Sequence, residues 1–184
     1  MDNNKSSIMR LMPDKSPRCS EFEMQDQVSD YFAKRVFRNP NEWNKPIIPK
    51  IYREVNIPEI GRISDIIIYL TDRRIINIEC KLVDYGTVVS QSMDHLRWAD
   101  YSYVCLFADT YLPAYILDKM IVNGIGLIFW TPEFLVEVIQ SGYNKKKDKT
   151  IRESVMKKLK KQDQKHTGQR ELGGQIIAFN GTVD

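Results

Sequence analysis

The spacing of apolar residues changes several times along the chain, and each change marks an element. Met24, Val28, Tyr31, Phe32 and Val36 recur at helical spacing, which predicts an amphipathic helix from Ser20 to about Phe37. Ser20 stands where it can cap the first turn, and the acids Glu21 and Glu23 follow where the helix dipole favours them. Asn39-Pro40-Asn41 ends the helix, and Pro46 and Pro49 predict an extended loop. Ile51 to Ile57 reads as a strand. Next come two apolar runs, Ile66-Ile67-Ile68 and Ile75-Ile76 with Ile78, joined by a turn at Thr71-Asp72-Arg73. They carry apolar side chains on both faces, as central strands do when covered on both sides. Thr87 to Ala99 predicts a helix, Tyr101 to Ala108 a buried strand, Pro113 to Val122 a helix and Gly126 to Trp130 another strand. Pro132 to Ile139 predicts a short helix begun by proline.

Early strands joined by turns and later strands reached through helices imply an α/β domain. Its centre would be a mixed sheet of four to five strands flanked by helices, antiparallel first and parallel afterwards. Three regions are expected: a loose polar arm over 1–19, a core over 20–142 and a basic extension over 143–184. Within the extension, Ile151, Val155 and Leu159 among lysines predict an exposed basic helix. The stretch after Gln162 reads as flexible, with a small strand at Ile176 to Phe179. No internal repeat is visible.

Composition narrows the class of protein. The 184 residues suffice for one domain with a real core, and 42% hydrophobic with 28% charged residues is ordinary for a globular chain. The formal charge of +3 is uninformative alone, but the lysines crowd between Lys145 and Arg170. Cys19, Cys80 and Cys105 form neither a disulfide framework nor a zinc pattern. With no signal-peptide pattern and no apolar stretch long enough to span a bilayer, the expected compartment is the cytoplasm, with no membrane partner.

Candidate chemistry sits in the two central strands. Asp65 lies in the first, and Glu79 and Lys81 close the second. Strand alternation starts Glu79 and Lys81 on one side of the sheet. Charges in so apolar a run are costly to bury unless they pair, bind metal or do chemistry. The plain alternative is structural ion pairing of Asp65 and Glu79 with Arg62, Lys81 or Arg73.

Asp65, then Glu79-Cys80-Lys81, in a strand–turn–strand setting between a helix bearing Glu21 and a helix bearing Gln91, resembles the PD-(D/E)xK nuclease superfamily. Ser64 stands where the proline of the family name would be, and Gln91 is followed by His95 where the exonuclease-like branch has tyrosine. Small stand-alone members, resolvase-like or repair-associated endonucleases, are the nearer likeness. The resemblance spans Ser20 to Pro132 and implies a restriction-endonuclease-like fold and a metal-dependent nuclease hydrolysing phosphodiester bonds, with DNA as the expected substrate. Its implied cofactor is Mg²⁺ or Mn²⁺, held by the oxygens of Asp65 and Glu79, the backbone carbonyl of Cys80 and, less directly, Glu21. Lys81 would manage the attacking water, with its pKa lowered beside the dication, and Gln91 would orient the phosphate or the lysine. Arg62, Lys145, Lys146 and Lys147 are candidate contacts to the nucleic acid backbone. A homodimer would suit cutting of two strands. His95 reads as structural, and Trp98, Tyr101 and Tyr103 as packing residues. Two other functions compete: a nucleic-acid-binding module with the nuclease fold but no turnover, and a nuclease subunit active only within a larger complex.

Overall fold

The computed structural model describes residues 19–39 and 42–171. Its elements run α1 (Glu21–Lys34), β1 (Phe37–Asn39), β2 (Glu42–Ile47), β3 (Pro49–Ile57), β4 (Arg62–Leu70), β5 (Ile75–Lys81), α2 (Tyr85–His95), β6 (Tyr101–Phe107), α3 (Ala114–Val122), β7 (Gly126–Trp130), β8 (Leu135–Ile139) and α4 (Lys149–Glu171). Strands β3 to β8 form one sheet in sequence order, while β1 and β2 pair with each other. The β3–β4, β4–β5 and β7–β8 pairs are antiparallel, and β5–β6 and β6–β7 are parallel. Parallel neighbours need a crossover, and α2 and α3 supply the two.

This is the mixed α/β sheet that the patterning predicts, with six strands where four or five were expected. The extra strand is β8, on a segment that the opening proline marked as helical. Residues 135 to 139 instead alternate in exposure, with Val136 and Val138 outward. A β-branched, period-two segment fits beside β7, and the Thr131 hydroxyl accepts the Glu133 and Phe134 amides at the turn between them. The loop predicted after the first helix contains the β1–β2 pair. Helix α1 accordingly stops at Lys34, leaving Val36 exposed. Ser20 caps it as expected, its hydroxyl accepting from the Glu23 amide at 3.1 Å.

On one sheet face, Met24, Val28 and Phe32 of α1 pack against Ile66, Ile68, Ile78 and Trp130. On the other face, α2 and α3 cover Val104, Leu106 and Leu127, and α4 covers Ile67 and Ile75. Helix α4 is therefore not the solvated basic helix that its lysines suggest, because Ile151, Val155 and Leu159 are buried. It also extends past Gln162, to Glu171. The strand expected at Ile176 to Phe179 lies outside the described residues. Among the described residues no helix is long and apolar enough to cross a membrane.

Gly126 begins β7 where the Tyr103 ring crosses it. A Cβ there would overlap that ring and press on the Ser141 amide nitrogen. We expect Gly126→Ala to cost about 1–3 kcal/mol, read as a lower urea midpoint at unchanged slope. An unchanged midpoint would mean that the ring yields without cost.

Candidate active site at the splayed end of β4 and β5

Pairing between β4 and β5 ends at Ile66 opposite Ile78, so Asp65 and Glu79 are the next positions on the two strands. The β3–β4 ladder is also interrupted here, since Arg53 faces Ile66 and Val55 faces Ser64 while the pair between them is missing. Glu54, at the gap, has φ 49°, a left-handed conformation that side chains disfavour. Alternation breaks at the same level in β4. Ser64 bonds Asn77 and Ile67 joins the core under α4, whereas Ile66 and Ile68 face α1. With the strands parting, Asp65 Oδ2 accepts the Cys80 amide at 2.8 Å. A side-chain oxygen thus takes a hydrogen bond that a ladder carbonyl would otherwise receive.

Strand β5 delivers the other groups. Glu79 is 1% exposed, and its Oε1 lies 3.1 Å from Nε2 of the fully buried His95 at the end of α2. Lys81 turns instead toward the start of α1, where Nζ donates to Glu21 Oε2 at 3.0 Å and Glu21 Oε1 accepts the Leu82 amide. Although alternation starts Glu79 and Lys81 on one side, their ends reach helices on opposite faces of the sheet. Asp84 then caps α2, its Oδ1 accepting from the Thr87 amide.

The electrostatics follow from this crowding. Burial and then the Glu79 charge push the Asp65 carboxyl up to about 7, against the opposing effect of the Cys80 amide. The Lys81 ammonium moves above its ordinary value, chiefly through its hydrogen bond to Glu21. Its neighbour here is a carboxylate, whereas the lowered value was expected beside a bound dication. Asp65 therefore bonds the Cys80 backbone and feels the charges of Glu79, Glu21 and Lys81, while Glu79 ends against α2 and the Lys81–Glu21 pair against α1.

Among the described residues, the remaining candidates form no hydrogen bond or ion pair with these groups. Gln91 makes no side-chain hydrogen bond among the described residues. Arg62 Nη2 pairs with Asp94 Oδ2 at 2.8 Å, tying β4 to α2. Lys147 pairs with buried Asp100 at 2.8 Å, and Asp100 bonds Ile75, the first residue of β5. The Lys145 to Lys147 loop is thus at the other end of β5 from Lys81, about 20 Å away at the usual strand rise, with Lys145 and Lys146 exposed. A cavity of about 110 Å³ beside Arg35, Ile76 and Tyr103 contains none of the candidate residues.

His95, read from the sequence as structural, is fully buried and contacts Glu79, a contact that the sequence reading did not foresee. Its signal was its phase: Val88, Ser92 and His95 share the buried side of α2, which puts a titratable ring where apolar residues belong.

As metal donors, Asp65 and Glu79 supply the hard oxygens suited to Mg²⁺ or Mn²⁺, and the Glu79 charge acts directly on Asp65. Among the described residues, no three His, Cys, Asp or Glu side chains stand close enough to share an ion. The donor set fits an ion that keeps most of its water, since Mg²⁺ is commonly held by one or two carboxylates.

No protein-family model matches the sequence, and no curated protein matches it. Among solved structures, the chain is similar to a protein of unknown function from Silicibacter pomeroyi, with TM-score 0.50 and 17% identity over 71% of this chain and 86% of that one. It is also similar to a repair endonuclease from Pyrococcus abyssi, with TM-score 0.41 and 19% identity over 64% of this chain and 50% of that one. What the first likeness shows is the fold: a mixed sheet between helices is shared with a solved structure across most of both chains.

Proposed function

We propose that this chain is a metal-dependent nuclease of the PD-(D/E)xK type that hydrolyses phosphodiester bonds, with DNA as its substrate. The observation that carries the reading is Asp65 at the point where β4 and β5 part, within electrostatic reach of buried Glu79 and of the Lys81–Glu21 pair, with its carboxyl pushed up to about 7 by burial and by Glu79. Like charges gathered at a strand end are costly without a cation.

Asp65 and Glu79 would hold Mg²⁺ or Mn²⁺, and the Cys80 carbonyl lies on the strand between Glu79 and Lys81. When bound, such an ion polarises a phosphoryl oxygen and makes bound water a better nucleophile. The protein's own residues do the rest. Lys81, about one-third exposed, can donate to a non-bridging phosphate oxygen and offset the charge that builds there. Glu21 holds the Lys81 ammonium from the start of α1 and can accept a proton from a water beside it. The Cys80 amide fixes the direction of the Asp65 carboxylate.

A second reading is favoured by one observation: Glu79 is sealed at 1% exposure against His95. In that reading the fold binds nucleic acid without turnover. Supercoiled, linear, branched and single-stranded DNA, and RNA, incubated with Mg²⁺, Mn²⁺ or EDTA, separate the two. Products that require the metal and vanish in Lys81→Ala support the nuclease. Binding without product from any substrate supports the module.

A further inference from the structure

Among the described residues, two buried side-chain polar atoms have no hydrogen-bond partner, and they face each other. Glu79 Oε1 and His95 Nε2 are 3.1 Å apart, with side chains 1% and 0% exposed, yet the pair lacks the direction of a proper hydrogen bond. The far side of the ring is settled. Trp98 Nε1 donates to His95 Nδ1 at 3.2 Å. An indole N–H can only donate, so Nδ1 acts as the acceptor and carries no proton. In that neutral ring the remaining proton is on Nε2, the nitrogen that faces Glu79.

The ring is held and the carboxylate is adjustable. Trp98, itself fully buried, packs edge-on to His95 with ring centroids 5.4 Å apart. The His95 carbonyl accepts the Trp98 and Ala99 amides at 3.1 and 3.0 Å, which fixes the turn carrying the imidazole. Glu79 has a soft terminal torsion, whose energy well is broad. Rotation about that torsion can swing Oε1 toward the line of the Nε2–H bond.

We propose that His95 is a positioning residue: its Nε2–H holds one oxygen of Glu79 and would leave the other to hold a divalent cation, while Trp98 sets the tautomer. This deepens the nuclease reading and rests on it. A carboxylate oriented from behind by a ring N–H needs less rearrangement when it takes up an ion, and partners of this kind typically change metal affinity 10–100-fold.

The test uses the full chain, with Mn²⁺ as the probe. ¹⁵N-imidazole NMR of the parent should show His95 as the Nε2–H tautomer. By calorimetry, His95→Leu should bind Mn²⁺ about 10–100-fold more weakly, and His95→Gln, whose amide N–H can donate, should recover most of the loss. Trp98→Phe should mix the tautomers and weaken Mn²⁺ binding to an intermediate degree. A parent ring protonated on Nδ1, or a folded His95→Leu that binds Mn²⁺ and cuts as the parent does, overturns the proposal while leaving the nuclease reading intact. If His95→Leu does not fold, the parent tautomer and Trp98→Phe decide: unchanged Mn²⁺ binding despite mixed tautomers overturns it. A parent that neither binds Mn²⁺ nor cuts any nucleic acid overturns the nuclease reading, and the proposal falls with it.

Discussion

Asp65→Asn should lose metal-supported cleavage by about 10³-fold or more, the scale at which removal of one key electrostatic group acts, and should at the same time stabilise the protein above neutral pH. The two effects have one origin. In the fold, Asp65 is pushed from its ordinary 3.8 up to about 7 by burial first and the Glu79 charge second. Between those values the folded chain holds a proton that the unfolded chain has released. Stability therefore falls as pH rises through that window, and the full penalty is present above about pH 7. At 1.36 kcal/mol per pH unit it amounts to roughly 4 kcal/mol. Asparagine cannot ionise, yet its carbonyl oxygen can still accept the Cys80 amide. Melting temperatures should rise little at pH 4 and progressively more up to pH 7, then level off. Equal melting of variant and parent at pH 8 would remove the electrostatic account of Asp65. Cleavage equal to the parent would remove Asp65 from the site.

The largest loss of stability is expected at Asp100, far from the candidate chemistry. Its carboxylate is buried and receives the Ile75 amide at 2.7 Å, the Lys147 ammonium at 2.8 Å and the Arg152 guanidinium at 2.7 Å. Arg152 also donates to the Trp98 and Arg73 carbonyls, so this one carboxylate ties α4 and the preceding loop to the edge of β5. Asp100→Ala leaves two cations and an amide without their acceptor and should cost about 3–5 kcal/mol, a fall of roughly 10 °C in Tm for a domain of this size. The exposed pair Lys50 with Asp163 is the control, where Lys50→Ala should cost less than about 1 kcal/mol. Equal losses from the two variants would mean that Asp100 closes no special contact. Lys147→Ala should follow Asp100 in direction, which distinguishes it from its solvated neighbours Lys145 and Lys146.

Part of the fold was legible because its patterns were strong. The isoleucine runs of β4 and β5 are too apolar to be anything but central strands. Met24, Val28 and Phe32 of α1 keep one phase over the whole helix and all reach the core. Other segments had two readings that only neighbours could separate. Residues 135 to 139 are a good strand solely because β7 offers an unpaired edge, while the proline before them signals a helix start. The lysines of α4 suggested solvent, yet Ile151, Val155 and Leu159 meet Ile67, Ile75 and Trp98 across the sheet, a surface remote in sequence.

The candidate site divides in the same way. Charged residues in apolar strands mark themselves by the cost of burying them, so Asp65, Glu79 and Lys81 were readable one by one. Their partners were not, because partnership depends on how helices from both ends of the chain lie on the sheet. That packing gives Lys81 to Glu21, sets His95 against Glu79 and lets Asp65 take the Cys80 amide. The sequence by itself determined which charged residues stand in the apolar strands and which strands hold them, since both follow from local period and from the energy of charge in an apolar run. Only the tertiary structure decided which charge faces which, because contacts between elements far apart in the chain are fixed by sheet register, strand splay and helix packing rather than by spacing.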